Sequence, residues 1–155
     1  SEAVQADRHN RHGSIEDYES EIQMGRDIPT AYKNTLEGTV ESEFADVGIR
    51  ILSLLGWMDT KRPTKFQSDS YLKEEYEIAK IKYKCGIARD FYRIICVLCS
   101  LIGNNSQYWY ISRVIQQTLM QVFALAQNNN IDLMEHIKLK MKYNESRPYL
   151  HGCKY

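Results

Sequence analysis

Two carboxylates three residues apart, Glu43 and Asp46 in the stretch "ESEFAD", could do chemistry. On a helix, positions i and i+3 share a face, so both carboxylates point the same way. Glu41 projects elsewhere. Like charges on adjacent turns repel, and a cation between them removes that cost. Oxygen-only ligands suit hard Mg²⁺, which is commonly held by a few carboxylates together with substrate phosphate and water. A plain solvated acidic face is the other reading of the same pair. Small Ala45 and Gly48 and an adjacent apolar stripe set the acids beside a seam where an unpaired carboxylate is costly.

The chain's end, "KLKMKYNESRPYLHGCKY" (138–155), has the opposite character. Lys140 and Asn144 stand at i and i+4, and Arg147 follows just before Pro148. Lysine offers phosphate a mobile point charge and arginine a planar fork. Asparagine can bond a phosphate oxygen, a metal-bound water or a base edge. A solvated basic terminus that complements the helix dipole is the alternative.

These groups need helices to hold them. Val40, Phe44, Val47, Ile51 and Leu54 or Leu55 recur every three or four residues, which predicts a helix over 39–58. The opening stretch "SEAVQADRHNRHG" reads as a helix stopped at Gly13. Ser14 looks like the N-cap of a short helix ending at Gly25, and "IPTAYKNTLEG" like a further short piece with Pro29 near its start. Residues 59–70 read as a loop. An amphipathic helix follows from Tyr71, interrupted at Gly86 before an apolar one. "GNNSQ" is a turn, and a long helix from Tyr108 ends at Asn128–Asn130. Asp132 is placed to cap the last helix, which Pro148 forbids from continuing. The class is all-α, in one domain spanning 1–155.

At 155 residues the chain can bury a single core. Net charge is zero but unevenly spread: residues 1–46 hold eleven acids against four bases. An acidic part and a basic part can pair or hold metal and phosphate between them. A neutral total argues against general nucleic-acid binding. No apolar run approaches membrane-spanning length, and no signal peptide is visible. The four Cys therefore read as free thiols in a reducing compartment, with the cytoplasm as the expected location.

Other constellations are weaker. Cys96 and Cys99 form a C-x-x-C inside an apolar helix and read as buried structural thiols. His9 and His12 sit in what reads as an exposed helix end rather than a metal site. "YWY" (108–110) reads as core rather than as a base-stacking platform. No Gly-rich phosphate loop is present.

Taken together, "SEAVQADR", "ESEFADVGIRILSL" and "KMKYNESRPYLHGCKY" resemble the MazG-like, all-α nucleotide pyrophosphohydrolases. That family carries E-x-x-E on one helix and E-x-x-D on the next. Many single-domain members close with K-x-x-x-N, R-P-Y and an H-G-K-like tail. The resemblance covers residues 1–56 and about 120–155. It implies a Mg²⁺-dependent enzyme, with Mn²⁺ as a substitute, that splits a nucleoside triphosphate into monophosphate and pyrophosphate in nucleotide-pool house-cleaning. Glu2, Glu43 and Asp46 would be metal ligands, and Glu43, Asp46 and Lys140 would carry catalysis. Lys140, Asn144, Arg147 and Tyr143 would contact the substrate, with Tyr149 a further contact. A homodimer or homotetramer is implied, with no nucleic-acid or membrane partner.

The chain departs from the pattern in one place. The first Glu of the E-x-x-E would fall three positions ahead of Glu2. The expectation is either a further N-terminal stretch carrying it or a metal shell without it. The second case favours a non-catalytic helical interaction module on the same scaffold. Residues 57–119 lie outside the resemblance and read as a helical insertion, mostly packing.

Overall fold

The computed structural model describes residues 2–63, 66–101 and 107–147. They form eight α-helices: α1 (Glu2–Arg8), α2 (Ile15–Gln23), α3 (Ile28–Thr35), α4 (Val40–Lys61), α5 (Asp69–Lys82), α6 (Ile87–Cys99), α7 (Tyr108–Asn128) and α8 (Leu133–Ser146). No strand occurs among the described residues, as expected of an all-α chain. None of the helices is long and apolar enough to cross a membrane.

The chain divides into two compact units, one running to Asp46 and resuming at Met134, the other covering Val47–Leu133. Helix α4 begins in the first and continues in the second.

The first unit is built from short, well-capped pieces. Ser14 Oγ accepts from the Asp17 amide at the start of α2, and Asp27 accepts from the Thr30 amide at the start of α3. Thr39 Oγ accepts from the Ser42 amide and donates to the Leu36 carbonyl, which starts α4 at its expected place. Around these caps lies a core of Tyr18, Ala31, Tyr32, Leu36, Leu139 and Tyr143. Burying each large side chain stabilises the fold by roughly 1.5–3 kcal/mol. The rings of Tyr32 and Tyr143 stack at 4.4 Å between centroids, 10° from parallel.

Gly13 has a different job from the one its sequence context indicates. Helix α1 ends at Arg8, and the left-handed residue after it is Asn10, with φ of 50°. Gly13 is instead needed for close approach. A Cβ there would lie 2.6 Å from the Thr35 carbonyl oxygen and 2.9 Å from Leu36 Cδ2. The Gly13 amide donates to Glu41, which also bonds the His12 ring at 2.9 Å. Neighbouring Arg11 accepts from the Val40 amide. The 11–13 segment is thereby fastened to the start of α4.

In the second unit α7 packs on α5 and α6. Arg113 forks onto the Tyr71 hydroxyl at 3.0 and 2.8 Å. Gln117 bonds Glu75, and Asn128 donates to the Lys80 and Tyr83 carbonyls at the end of α5. A further cluster joins Leu55 and Met58 to Ile115 and Leu119. Gly86, with φ of 100°, breaks α5 from α6 as its type implies. The expected 57–119 insertion falls within this unit.

Three expectations are corrected here. The loop expected over 59–70 is shorter, because α4 runs on to Lys61 and α5 begins at Asp69 under a Ser68 cap. Cys96 and Cys99 are exposed, because α6 buries Ile87, Asp90, Phe91 and Ile94 on another face. In "YWY" only Tyr108 packs on core, while Trp109 and Tyr110 are exposed. The "GNNSQ" turn lies almost wholly outside the described residues, as do Pro148, Tyr149 and the H-G-K-like tail.

Candidate functional site

The acidic part of the site stands on the first two turns of α4. Ser42, Glu43 and Asp46 share one flank of that helix, since 42 and 46 are one turn apart and 43 and 46 three residues apart. Acids in the first turn of a helix are favoured by its dipole, which eases their crowding. Glu43 and Asp46 are half-buried.

Glu43 is the centre of this cluster. Burial, then the charge of Asp46, then that of Glu2 push its carboxyl above the ordinary carboxylate range. Lys140 pulls the other way, and a hydrogen bond with Glu2 favours the protonated Glu43. Glu43 thus feels two further carboxylates and the ammonium of Lys140. Glu2 itself is exposed, in the first turn of α1.

Lys140 comes to the acids from α8. Its Nζ lies 3.0 Å from Asp46 Oδ2 and donates to Ser42 Oγ at 3.1 Å. It also sits 5.5 Å from the Tyr32 ring centroid and 6.0 Å from that of Tyr143. Lys140 is buried, and the aromatic faces and the carboxylate replace the water its ammonium loses. Tyr32 donates its hydroxyl to the same Ser42 Oγ at 3.0 Å.

The remaining expected residues are on α8 or at its end. Tyr143 is buried in the core, its hydroxyl donating to Glu37 at 2.8 Å. Arg147 is exposed and places its guanidinium 5.3 Å from the Tyr143 ring centroid. Asn144 is exposed. The fold therefore brings Glu2, Glu43, Asp46 and Lys140 together and seats Arg147 on Tyr143.

Among the described residues no group of three or more His, Cys, Asp or Glu side chains is placed to hold a metal ion. The donor set still fits a hard divalent cation. Mg²⁺ is usually bound through one or two carboxylates and keeps several waters, so a complete protein cage is not required. The excess of carboxylates around Glu43 supplies the charge such an ion balances.

Ser42, Tyr32 and Glu37 also contact the Lys140–Tyr143 stretch or its partners, and no motif marks them. Ser42 is legible from helical spacing, one turn from Asp46 on the same flank. Tyr32 and Glu37 carry no local signal, because only tertiary packing brings them to α8. Glu41 points away from the Glu43–Asp46 flank, to its bond with His12, a partner no local signal indicates.

What fold and geometry define is an all-α protein with a carboxylate cluster joined to a buried lysine. No protein-family model, curated protein or solved structure matches the chain.

Proposed function

We propose that this protein is a Mg²⁺-dependent nucleoside triphosphate pyrophosphohydrolase of the MazG-like kind, acting in nucleotide-pool house-cleaning in the cytoplasm. One observation carries the reading. Glu43 is half-buried and feels the charge of two further carboxylates, Asp46 and Glu2, with Lys140 at 3.0 Å from Asp46. Crowded acids facing a basic element are what a metal-assisted phosphate site needs, and a merely solvated surface does not need them.

On this reading Glu43 and Asp46, with Glu2, would hold the cation together with water and substrate phosphate, and Mn²⁺ would substitute for Mg²⁺. When bound there, such a cation would supply Lewis-acid polarisation of the phosphate oxygens and a lower pKa for the attacking water. Water attacks the α-phosphorus and gives up its proton to solvent, the bond to the bridging oxygen breaks, and pyrophosphate leaves with that electron pair. Lys140 and Arg147 offset the charge that grows on the leaving group, and Asn144 bonds a phosphate oxygen. Tyr143 acts as the platform under Lys140 and Arg147. No covalent intermediate is required.

Assembly as a homodimer or homotetramer belongs to the same proposal. Exposed Leu52, Leu54 and Trp57 on α4 offer apolar surface to bury. A monomer mass by light scattering at micromolar concentration counts against it.

A second reading is a non-catalytic helical interaction module. The engagement of Lys140 by Asp46 and Ser42, and of the Tyr143 hydroxyl by Glu37, favours it. Incubating the protein with a panel of common and damaged nucleoside triphosphates decides between the two. Pyrophosphate release that requires Mg²⁺ and stops with EDTA supports the enzyme. Release from none of the panel supports the module.

A further inference from the structure

We infer that Ser42 is a positioning residue, which with Tyr32 fixes the ammonium of Lys140 at the acidic end of the site. This rests on the reading of Lys140 as a phosphate contact and adds the device that aims it.

A lysine side chain carries four rotatable bonds, and its charge is diffuse in position unless something holds it. Here four groups do. Ser42 Oγ accepts from Nζ at 3.1 Å, Asp46 Oδ2 lies at 3.0 Å, and the Tyr32 and Tyr143 rings flank it. Of these, Ser42 has the least freedom. It is fully buried, one turn from Asp46, on the well-capped start of α4.

The hydrogen-bond directions fit that role. Tyr32 Oη donates to Ser42 Oγ at 3.0 Å, and Lys140 donates to the same oxygen. A serine hydroxyl accepts two bonds and donates one. Both acceptor positions are filled, so the oxygen is pinned from two sides and cannot turn from Lys140 without stranding Tyr32. Tyr32 is itself buried and stacked on Tyr143, which belongs to the same helix as Lys140. The core of the unit thus sets the place of a single charged atom.

The same arrangement explains an otherwise unfavourable choice. A hydroxyl, a phenol and an ammonium are buried together, each of which costs free energy unless partnered. All three are partnered by one another and by Asp46.

The test uses the whole protein in two arms. In the first, acylation of lysines by a hydroxysuccinimide ester is followed by peptide mass spectrometry, with exposed Lys142 as internal standard. A hydrogen bond to a charged group corresponds to roughly tenfold or more in an equilibrium. Lys140 in the unaltered protein is expected to react at least about tenfold more slowly than Lys142, and Ser42→Ala to remove most of that protection with the helical circular dichroism intact. Tyr32→Phe, which keeps the ring and loses the hydroxyl, gives a smaller change in the same direction. It also serves as the second variant should Ser42→Ala fail to fold. Unchanged protection of Lys140 in a folded Ser42→Ala or Tyr32→Phe protein overturns the inference.

In the second arm, calorimetry measures binding of a non-hydrolysable triphosphate analogue with Mg²⁺ to Ser42→Ala, Lys140→Met and the double variant. Positioning predicts that Ser42→Ala weakens binding alone but adds nothing once Lys140 is gone. Additive losses overturn it. If the first arm gives the expected loss of protection and no variant, nor the unaltered protein, binds triphosphate, the positioning of Lys140 stands and the proposed function falls.

Discussion

Lys140 Nζ and Asp46 Oδ2 lie 3.0 Å apart, joining the last helix to the second turn of α4. The pair is unevenly buried: the lysine side chain is 11% exposed and the aspartate 30%. The lysine therefore depends on the carboxylate more than the reverse, and water screens part of their attraction.

Asp46→Asn keeps the shape and one acceptor oxygen for Lys140 but removes the charge. Pyrophosphate release should fall by orders of magnitude. Folding should survive, with a stability loss of no more than about 1–2 kcal/mol from the weakened bond. Normal turnover in this variant removes Asp46 from the proposed metal site.

Glu43 gives a pH prediction. Its folded-state carboxyl is raised, first by burial and then by Asp46 and Glu2. The folded protein therefore holds this proton more tightly than the unfolded chain. Its contribution is favourable at low pH and is lost as pH rises through the unfolded and then the folded value. Above both values the ionised group is a net cost. Glu43→Gln should then raise the melting temperature slightly at neutral pH in EDTA, with the gain vanishing in acid. A variant less stable than the unaltered protein at neutral pH contradicts this account. With Mg²⁺ added, the unaltered protein alone should gain stability through binding.

Gly13→Ala tests the packing of the 11–13 segment. The new methyl carbon would meet the Thr35 carbonyl at 2.6 Å, and backbone on that side cannot swing away. Overpacking of this kind costs about 1–3 kcal/mol. Chemical denaturation should show that loss, with the α4 carboxylates still in place. An unchanged midpoint means the segment is free to shift.

Arg147→Ala separates a phosphate contact from a solvated terminus. Arg147 is exposed and rests on Tyr143. Removing it should leave thermal stability without nucleotide nearly unchanged. A charge-assisted bond to phosphate contributes about 1.5–3 kcal/mol, so triphosphate affinity or turnover should drop roughly ten- to a hundredfold. Full kinetics in both Arg147→Ala and Lys140→Ala would reduce this end of the chain to a solvated helix terminus.

The amino-acid sequence by itself determined what depends on neighbours within a turn or two. The all-α class, the α4 stripe, the Ser14 cap, the break at Gly86 and the shared flank of Glu43 and Asp46 all follow from helical period and local backbone chemistry. It erred where a residue's role is set by distant chain. Gly13 looked like a helix stop and is a close-packing point against Thr35, and the apolar helix of Cys96 and Cys99 turned a different face inward. Tertiary structure alone decided that Lys140 is buried against Ser42 and Asp46, and that Tyr32 and Tyr143 stack beside it. The physical reason is that periodicity gives each helix a buried flank but not the element that covers it. Which side chain then meets which carboxylate is fixed by long-range packing, where one lysine among several on α8 finds the partners that repay its desolvation.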